Sequence, residues 1–404
     1  MSKLRRFAIT STLIILSFVA GWHISRYQLT PHHGSIENLQ ENLCQSPLLD
    51  QVLQSLNQSY LNREKLKDQK KLIYGAIGGL VSSLNDPYTV FLPPEQNKEF
   101  QEDMAGSFGG VGIQLGYKEK QLTVIAPLEG TPADRAGIKA GDIIVHIKDE
   151  KKGIDQDTYN LSLPEAVNII RGPKGSIVEL TVRREGEREP ITVAITRGEI
   201  KVPSVELEMV AREDKNIAHL KLIRFGDQTE KEWDEAVRKI VAKQKDPSFA
   251  GVILDLRNNP GGYLESAVEI ASEFISQGVI VQQESKNNQK KALFASGDGH
   301  LFNTPLVVLV NGGSASASEI VAGALRQQRG AKIVGETTFG KGTVQEAKSL
   351  LGGAGIHITV ARWLLPNGES IHEKGIEPDI IVKNNPEENK DLQLEKAIDL
   401  LLGK

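Results

Sequence analysis

The chain has 404 residues, more than one compact core usually holds, so roughly two to three domains are expected. Hydrophobic residues make up 39% and charged residues 25%, ordinary for a folded protein and against disorder as the default, and a net charge of -4 gives no electrostatic reason to expect nucleic acid as a partner. Cys44 is the only cysteine, so an intramolecular disulfide and a thiolate metal cluster are excluded; no HExxH-type pair occurs, and neither a metal nor a cofactor is expected.

At the N-terminus Lys3, Arg5 and Arg6 precede an uncharged run over residues 7–25. This pattern reads as an export signal or a single membrane anchor, with the basic flank kept in the cytoplasm. The apolar stretch runs into Trp22, which makes a poor cleavage site and favours the uncleaved anchor. Cys44 lacks the small residues that precede a lipid-modified cysteine. The rest of the chain is then expected in the cell envelope outside the cytoplasm, anchored in the membrane, or periplasmic or extracellular if the signal is removed.

Residues 48–83 carry apolar side chains at helical spacing: Val52, Leu53, Leu56 and Tyr60, then Leu72, Ile73, Ile77, Leu80 and Val81. Pro87, Pro93 and Pro94 break that pattern. From Ser107 short β-rich runs alternate with glycine turns, with one short helix in "LPEAVNIIRG". Strands are expected at Ile177–Arg183 and Ile191–Thr196, joined by a charged turn at Glu185 and Gly186. After Glu199 strands and helices alternate. "NIAHLKLIRF", "AGVILDLRNN", "PLVVLV" and "AKIVG" read as strands. "EKEWDEAVRKIVAKQ", "YLESAVEIASEFISQG" and "SASEIVAGALRQQ" read as helices, the second stopped by Gly278. Such alternation predicts a mainly parallel sheet covered by helices.

Three segments carry chemistry. "VNGGSASASEIVAGAL" places Ser314, Ser316 and Ser318 where a strand meets a helix. A hydroxyl there is either an N-cap or a nucleophile beside unpaired helix amides that can hold an oxyanion. In "TFGKGTVQ", Lys341 stands between two glycines with Gln345 four residues on. A buried lysine can lose its proton near neutral pH and serve a serine as base. In "DLRNNPGG", Gly261 and Gly262 end a strand with amides open to a ligand.

Taken together with "KGIEPDIIV" at 374–382, these stretches resemble the S41 family of C-terminal processing (tail-specific) serine peptidases. The β-rich module with "FGGVGI" resembles the PDZ domain of that family, and "LNDPYTVFLPPEQ" its pre-PDZ segment. The resemblance implies an α/β protein: a ClpP/crotonase-like α/β core with an inserted PDZ domain and an N-terminal helical segment. The domains would be 1–26 (signal or anchor), 27–105 (helical), 106–198 (PDZ), 199–385 (peptidase core) and 386–404 (linker and helix).

Carried over residue by residue, the resemblance makes Ser316 the nucleophile, Lys341 the base and Gln345 the residue that positions the lysine. The backbone amides of Gly262 and Ala317 would bind the oxyanion, and Ser314 and Ser318 would be structural. Gly109, Gly110, Val111, Gly112 and Ile113 would hold the terminal carboxylate of a substrate tail added as a strand, with Ile113 and Leu115 shaping an apolar pocket. Arg171 would couple peptide binding to activation. The implied partners are polypeptides with apolar C-termini and the membrane; the 48–83 and terminal helices would support a homodimer or pack on the core. Three rivals compete: a Ser-His-Asp set drawn from His357, His372 and Asp255, a non-cutting PDZ scaffold, and an acyl-CoA enzyme of the crotonase type.

Overall fold

A computed structural model describes residues 45–118, 120–384 and 390–404. The apolar run at 7–25, Cys44 and most of the predicted charged linker lie outside the described residues. Among the described residues no helix is long and apolar enough to cross a membrane.

The chain divides into two units, Met1–Ala76 and Ile77–Lys404. In the first, α1 (Pro47–Ser59) opens at Ser46, whose hydroxyl accepts from the Leu49 amide, with a proline in the first turn. Leu49, Val52, Leu53 and Leu56 lie exposed on it. A 3₁₀ turn (Arg63–Leu66) leads to α2 (Gln69–Ser82), which runs on into the second unit.

The second unit begins its sheets with β1 (Val90–Leu92), followed by α3 (Pro94–Ala105) and β2 (Ser107–Gly110). The β-rich module then follows as β3 (Ile113–Lys118), β4 (Gln121–Pro127), α4 (Pro132–Arg135), β5 (Ile143–Asp149), β6 (Ile154–Asp157), α5 (Leu163–Ile170), β7 (Ile177–Arg183) and β8 (Ile191–Thr196). Its antiparallel sheet has the order β3-β4-β5-β7-β8, with β6 beside β5, so β3 keeps one open edge. α5 packs against β3 and β5, capped at its start by the reciprocal Ser162–Glu165 hydrogen bonds. Val124, Ile144, Ile147, Leu180 and Val182 fill the module's own core. Entry and exit are tied together, because β9 (Gly198–Lys201) pairs with β2.

The remaining elements are β10 (Val205–Arg212), β11 (Lys215–Leu222), α6 (Thr229–Lys243), β12 (Phe249–Asp255), α7 (Leu264–Ser272), β13 (Val279–Ser285), β14 (Gln289–Phe294), β15 (Leu306–Val310), α8 (Ala317–Arg329), β16 (Lys332–Gly335), β17 (Thr343–Ser349), β18 (Gly355–Leu364), β19 (Ile380–Ile381) and α9 (Leu392–Leu401). The central sheet runs β10-β11-β12-β15-β16-β19, parallel except for β10. One face packs on α6, α7 and α8 through Leu220, Leu254, Val308, Trp233, Ile270 and Val321. The other face packs on α9, where Ile253 and Leu309 meet Ala397 and Ile398. Both faces are covered, and β12 and β15 read as continuous apolar runs for that reason.

Two features differ from the sequence-based expectation. A second, antiparallel sheet joins β1, β18, β13 and β14, with β17 on β18. In this sheet β14 and β17 are exposed over most of their length and carry lysines and a glutamate, so no apolar run marks those two. The helix expected to reach Gly278 ends at Ser272, because the backbone at Gly299 presses on the Ser272 and Glu273 carbonyls; a Cβ there would come within 2.4 Å of the first. The Leu301 amide takes the Glu273 carbonyl that a further turn of helix would have used.

Candidate active site

The turn from β15 into α8 uses its three serines differently. Ser314 is buried; its hydroxyl donates to the Leu256 carbonyl (2.8 Å) and accepts from the Asn311 amide. Ser318 is buried too and donates to the Asn259 carbonyl (2.7 Å). Both hydroxyls therefore bolt this turn to the glycine loop after β12. Ser316 stands at the helix start with φ 56° and ψ −115°, a left-handed conformation uncommon for a residue with a Cβ. It lines a cleft of about 1020 Å³ together with Gly262, Ala317, Lys341 and Gln345.

Glu319 sits three residues beyond Ser316 and is fully buried. Its Oε2 accepts from the backbone N–H of Ser316 (2.8 Å) and from that of Lys341 (3.0 Å). Its Oε1 accepts from the Gly340 amide (2.7 Å) and the Thr338 hydroxyl. A buried carboxylate is costly unless its lone pairs are filled, and here four donors and a helix N-terminus fill them. One oxygen thus ties the serine turn to the lysine loop. The role of Glu319 was missed in the sequence, although Ser-x-x-Glu from 316 to 319 carries the capping-box pattern that marks it.

The glycines around Lys341 make room for the loop at 372–375. A Cβ on Gly340 (φ 89°) would come within 2.8 Å of the Gly375 amide nitrogen, and one on Gly342 within 2.9 Å of the His372 Cβ. The Lys341 carbonyl accepts from the Trp363 indole (2.8 Å). Its amine lies 5.1 Å from the centre of the Tyr88 ring. Burial lowers the amine's pKa below the ordinary lysine value, against the charges of Asp86 and Glu319, which favour the ammonium. Gln345, on β17, donates from Nε2 to the Thr343 hydroxyl (2.8 Å) and not to or from Lys341.

The glycine loop reaches the same place. A Cβ on Gly261 would sit 2.8 Å from the Ser316 Cβ and 3.0 Å from the Ala317 nitrogen. At Gly262 (φ 141°) a Cβ would fall 2.0 Å from the Phe225 carbonyl oxygen, so only glycine fits. Asn259 braces the loop by donating to the Leu222 carbonyl and accepting from the Gly261 amide. Among the described residues the N–H groups of Gly262 and Ala317 have no hydrogen-bond acceptor.

The histidine alternative is not assembled. Asp255 accepts from Arg257, lies 3.0 Å from His219 Nε2, and has a pKa of about 2; burial would raise it, but these partners outweigh that. The His372 Nδ1 accepts from the Gly342 amide, and the His357 ring stands edge-on to Phe100 at 4.3 Å.

In the β-rich module, Gly109 and Gly110 belong to the β2–β9 ribbon rather than to a turn. The Gly109 carbonyl accepts from the Gly172 amide, and a Cβ on Gly109 would meet the Gly172 oxygen at 2.2 Å. Val111 and Gly112 (φ 79°) are buried and form the turn into β3, where Ile113 and Leu115 face the module core. The guanidinium of Arg171 stacks 3.8 Å above the Phe108 ring. The last carbonyls of α5 are held by cations. Arg197, buried and paired with Asp149 at 2.6 Å, donates to the Ile170 carbonyl, and Lys152 donates to those of Asn168 and Arg171.

Residues 216–382 match the profile of peptidase family S41, residues 123–184 that of the PDZ domain, and residues 25–96 that of the N-terminal domain of the activating protease CtpB. The chain is 39% identical over 339 residues to the carboxy-terminal processing protease CtpA of Bacillus subtilis, a match covering 82% of this chain and 69% of that protein. The chain belongs to peptidase family S41. This S41 peptidase is also 35% identical over 371 residues to the carboxy-terminal-processing protease of Bartonella bacilliformis, covering 91% of the chain and 82% of its relative. Among solved structures, the photosystem II D1 C-terminal processing protease matches with a TM-score of 0.50 at 32% identity, over 86% of this chain and 92% of that one. The family makes the chain a carboxy-terminal processing serine peptidase with a PDZ domain, acting on polypeptides, in the α/β fold expected for it. It selects that reading over the scaffold and acyl-CoA alternatives.

Proposed function

We propose that Ser316, Lys341 and Gln345 form the catalytic set of this peptidase, and that the PDZ module recruits the substrate's C-terminal tail. Neutral Lys341 takes the proton of the Ser316 hydroxyl, whose oxygen attacks the scissile carbonyl carbon. The N–H groups of Gly262 and Ala317 donate to the oxyanion as the carbonyl π bond opens. The ammonium of Lys341 then protonates the leaving amine nitrogen, the C–N bond breaks, and an acyl ester remains on Ser316. Water, deprotonated by Lys341, hydrolyses the ester. Gln345 anchors by Nε2 to Thr343, which leaves its Oε1 to accept from the lysine amine.

The observation that carries this reading is the shared Glu319 oxygen, which holds the backbones of Ser316 and Lys341 together at the mouth of one cleft. The lowered affinity of the buried Lys341 amine for its proton supports its part as base. In the PDZ module the open edge of β3 supports strand addition by an apolar tail, its carboxylate at the turn of residues 111–113. The N-terminal basic-apolar pattern supports a place in the cell envelope, with the peptidase outside the cytoplasm.

The test is cleavage of a peptide with an apolar C-terminus by the purified protein, its products read by mass spectrometry. Ser316→Ala and Lys341→Ala are each expected to abolish turnover while thermal unfolding stays as in the parent. Retained turnover in either variant removes that residue from the set.

A further inference from the structure

The backbone of Lys341 is pinned by Glu319 and Trp363, yet its amine ends a four-carbon stem. Among the described residues that amine has no hydrogen-bond or ion-pair partner. The group that meets it is the ring of Tyr88, from the segment ahead of the PDZ module.

That segment is built to hold its ring still. Asn85 turns the chain with φ 53°. The Asp86 carboxylate accepts from the Tyr88 amide (2.9 Å) with one oxygen and from the Thr89 hydroxyl (2.7 Å) with the other. Thr89 is buried, and its hydroxyl accepts from the Thr359 amide on β18 (3.0 Å). The chain then continues as β1, paired with the same strand. The Tyr88 ring also leans on His372, 6.2 Å between ring centres, and His372 in turn accepts from the Gly342 amide. The segment is therefore clipped to β18, and its ring meets the turn that holds the Gly342 amide of the lysine loop.

We propose that Tyr88 is a positioning residue for the peptidase reaction: clipped by Asp86 and Thr89 to β18, its ring orients the Lys341 amine toward Ser316 and shields it from water. The inference rests on the reading of Lys341 as base. A π-face at this range attracts the ammonium, and the same ring excludes water that would solvate it. The shielding is the larger of the two, because a ring only partly withdrawn from solvent holds a cation weakly. The charged and titratable groups around the amine are Asp86 on the clip, Glu319 on α8 and His357 on β18, and Glu373 and His372 face the Tyr88 ring. The Tyr88 phenol itself has a raised pKa, through burial and the charges of Glu319, Glu373 and Asp86, so it stays neutral where the enzyme works.

The experiment is kcat and KM against pH for the full chain, on one tail peptide, with four variants. Tyr88→Phe is expected to keep both constants and the profile. Tyr88→Ala is expected to lower kcat by roughly ten- to a hundredfold with KM little changed, as misplacing a catalytic group does. It is also expected to move the acid limb to higher pH, by about half a unit or more, as water returns to the amine. Asp86→Asn, which keeps an acceptor in the clip, is expected to move the limb the other way, because the ammonium loses a negative neighbour. Lost activity in Tyr88→Ala with an unmoved limb would show a merely structural residue and overturn the inference. If Tyr88→Ala does not fold, Tyr88→Leu takes its place, and an unmoved limb in it overturns the inference. The fourth variant, Lys341→Ala, separates the two readings: if it cleaves like the parent, the base assignment fails, whereas an inactive Lys341→Ala beside an unmoved limb in Tyr88→Ala condemns the Tyr88 inference alone.

Discussion

The edge proposed for tail binding in the PDZ module and the peptidase cleft draw on the chain differently. The first uses the turn at 111–113, the strand that follows directly, and one helix of the same small sheet. The second gathers Tyr88, Gly262, Ser316 and Lys341 from four separate segments, three of them loops at the ends of strands. The module's cross-links stay inside it: Arg197 with Asp149 and with the Ile170 carbonyl, Lys152 with the end of α5. The cleft's cross-links join separate segments of the unit: Glu319 to Lys341, Ser318 to Asn259, and Thr89 to Thr359, the last across 270 residues. A site of the first kind tolerates change by losing affinity. A site of the second kind loses alignment, and with it rate.

The sharpest way to separate the two is Ser316→Ala. It is expected to cut kcat on the order of ten thousandfold or more, while the affinity for a tail peptide, read by fluorescence anisotropy, stays at the parent value. A fall in both would mean that the sites are not independent. The pH profile of the parent belongs to the same test. Because burial lowers the Lys341 amine from its ordinary value, activity should rise with pH through that lowered value; a limb at the ordinary lysine value would break the base assignment. Next comes Gly262→Ala, which forces a Cβ toward the Phe225 carbonyl at 2.0 Å and pulls the amide off the oxyanion. Losing one such donor costs about a hundred- to a thousandfold in kcat.

Glu319→Gln puts an NH₂ where one of four donors now points. A loss of roughly ten- to a hundredfold in kcat is expected, with a lower unfolding temperature, since an unsatisfied buried donor costs about 1–3 kcal/mol. Unchanged kinetics would show that the serine turn and the lysine loop align without it. The smallest effect is expected from Ile113→Ala at the open edge of β3: about a tenfold rise in KM at constant kcat, the usual worth of apolar pocket contacts. A fall in kcat instead would tie the module's groove to the chemistry.

Much of the fold could be read along the chain. The buried parallel strands β12, β15 and β16 announce themselves as apolar runs, and the strands at Ile177–Arg183 and Ile191–Thr196 are bounded as expected. In the second sheet β14 and β17 were not legible, because their lysines and Glu346 stand on solvent-facing positions and leave only isolated apolar residues such as Leu293 and Val344 against the core. In the site, the outer serines of the triplet were assigned to structure, and the hydrogen bonds of Ser314 and Ser318 agree with that. The resemblance gave Gly109 and Gly110 to a ligand loop; both lie in the β2–β9 ribbon, Gly109 small where the Gly172 carbonyl approaches it and Gly110 small beside the Phe108 ring.

Local pattern alone determined the chemistry on offer, a hydroxyl at a strand-to-helix turn, an amine between glycines and a glycine pair after a strand, since each depends on a few consecutive residues. Tertiary structure decided which of these groups face one another and in what surroundings. The burial of Glu319, the reach of its Ser316-bonded oxygen to the Lys341 amide, and the Tyr88 ring over the amine arise from contacts between segments that are apart in the chain. Desolvation and alignment are properties of packed neighbours, and no periodicity along the chain records them.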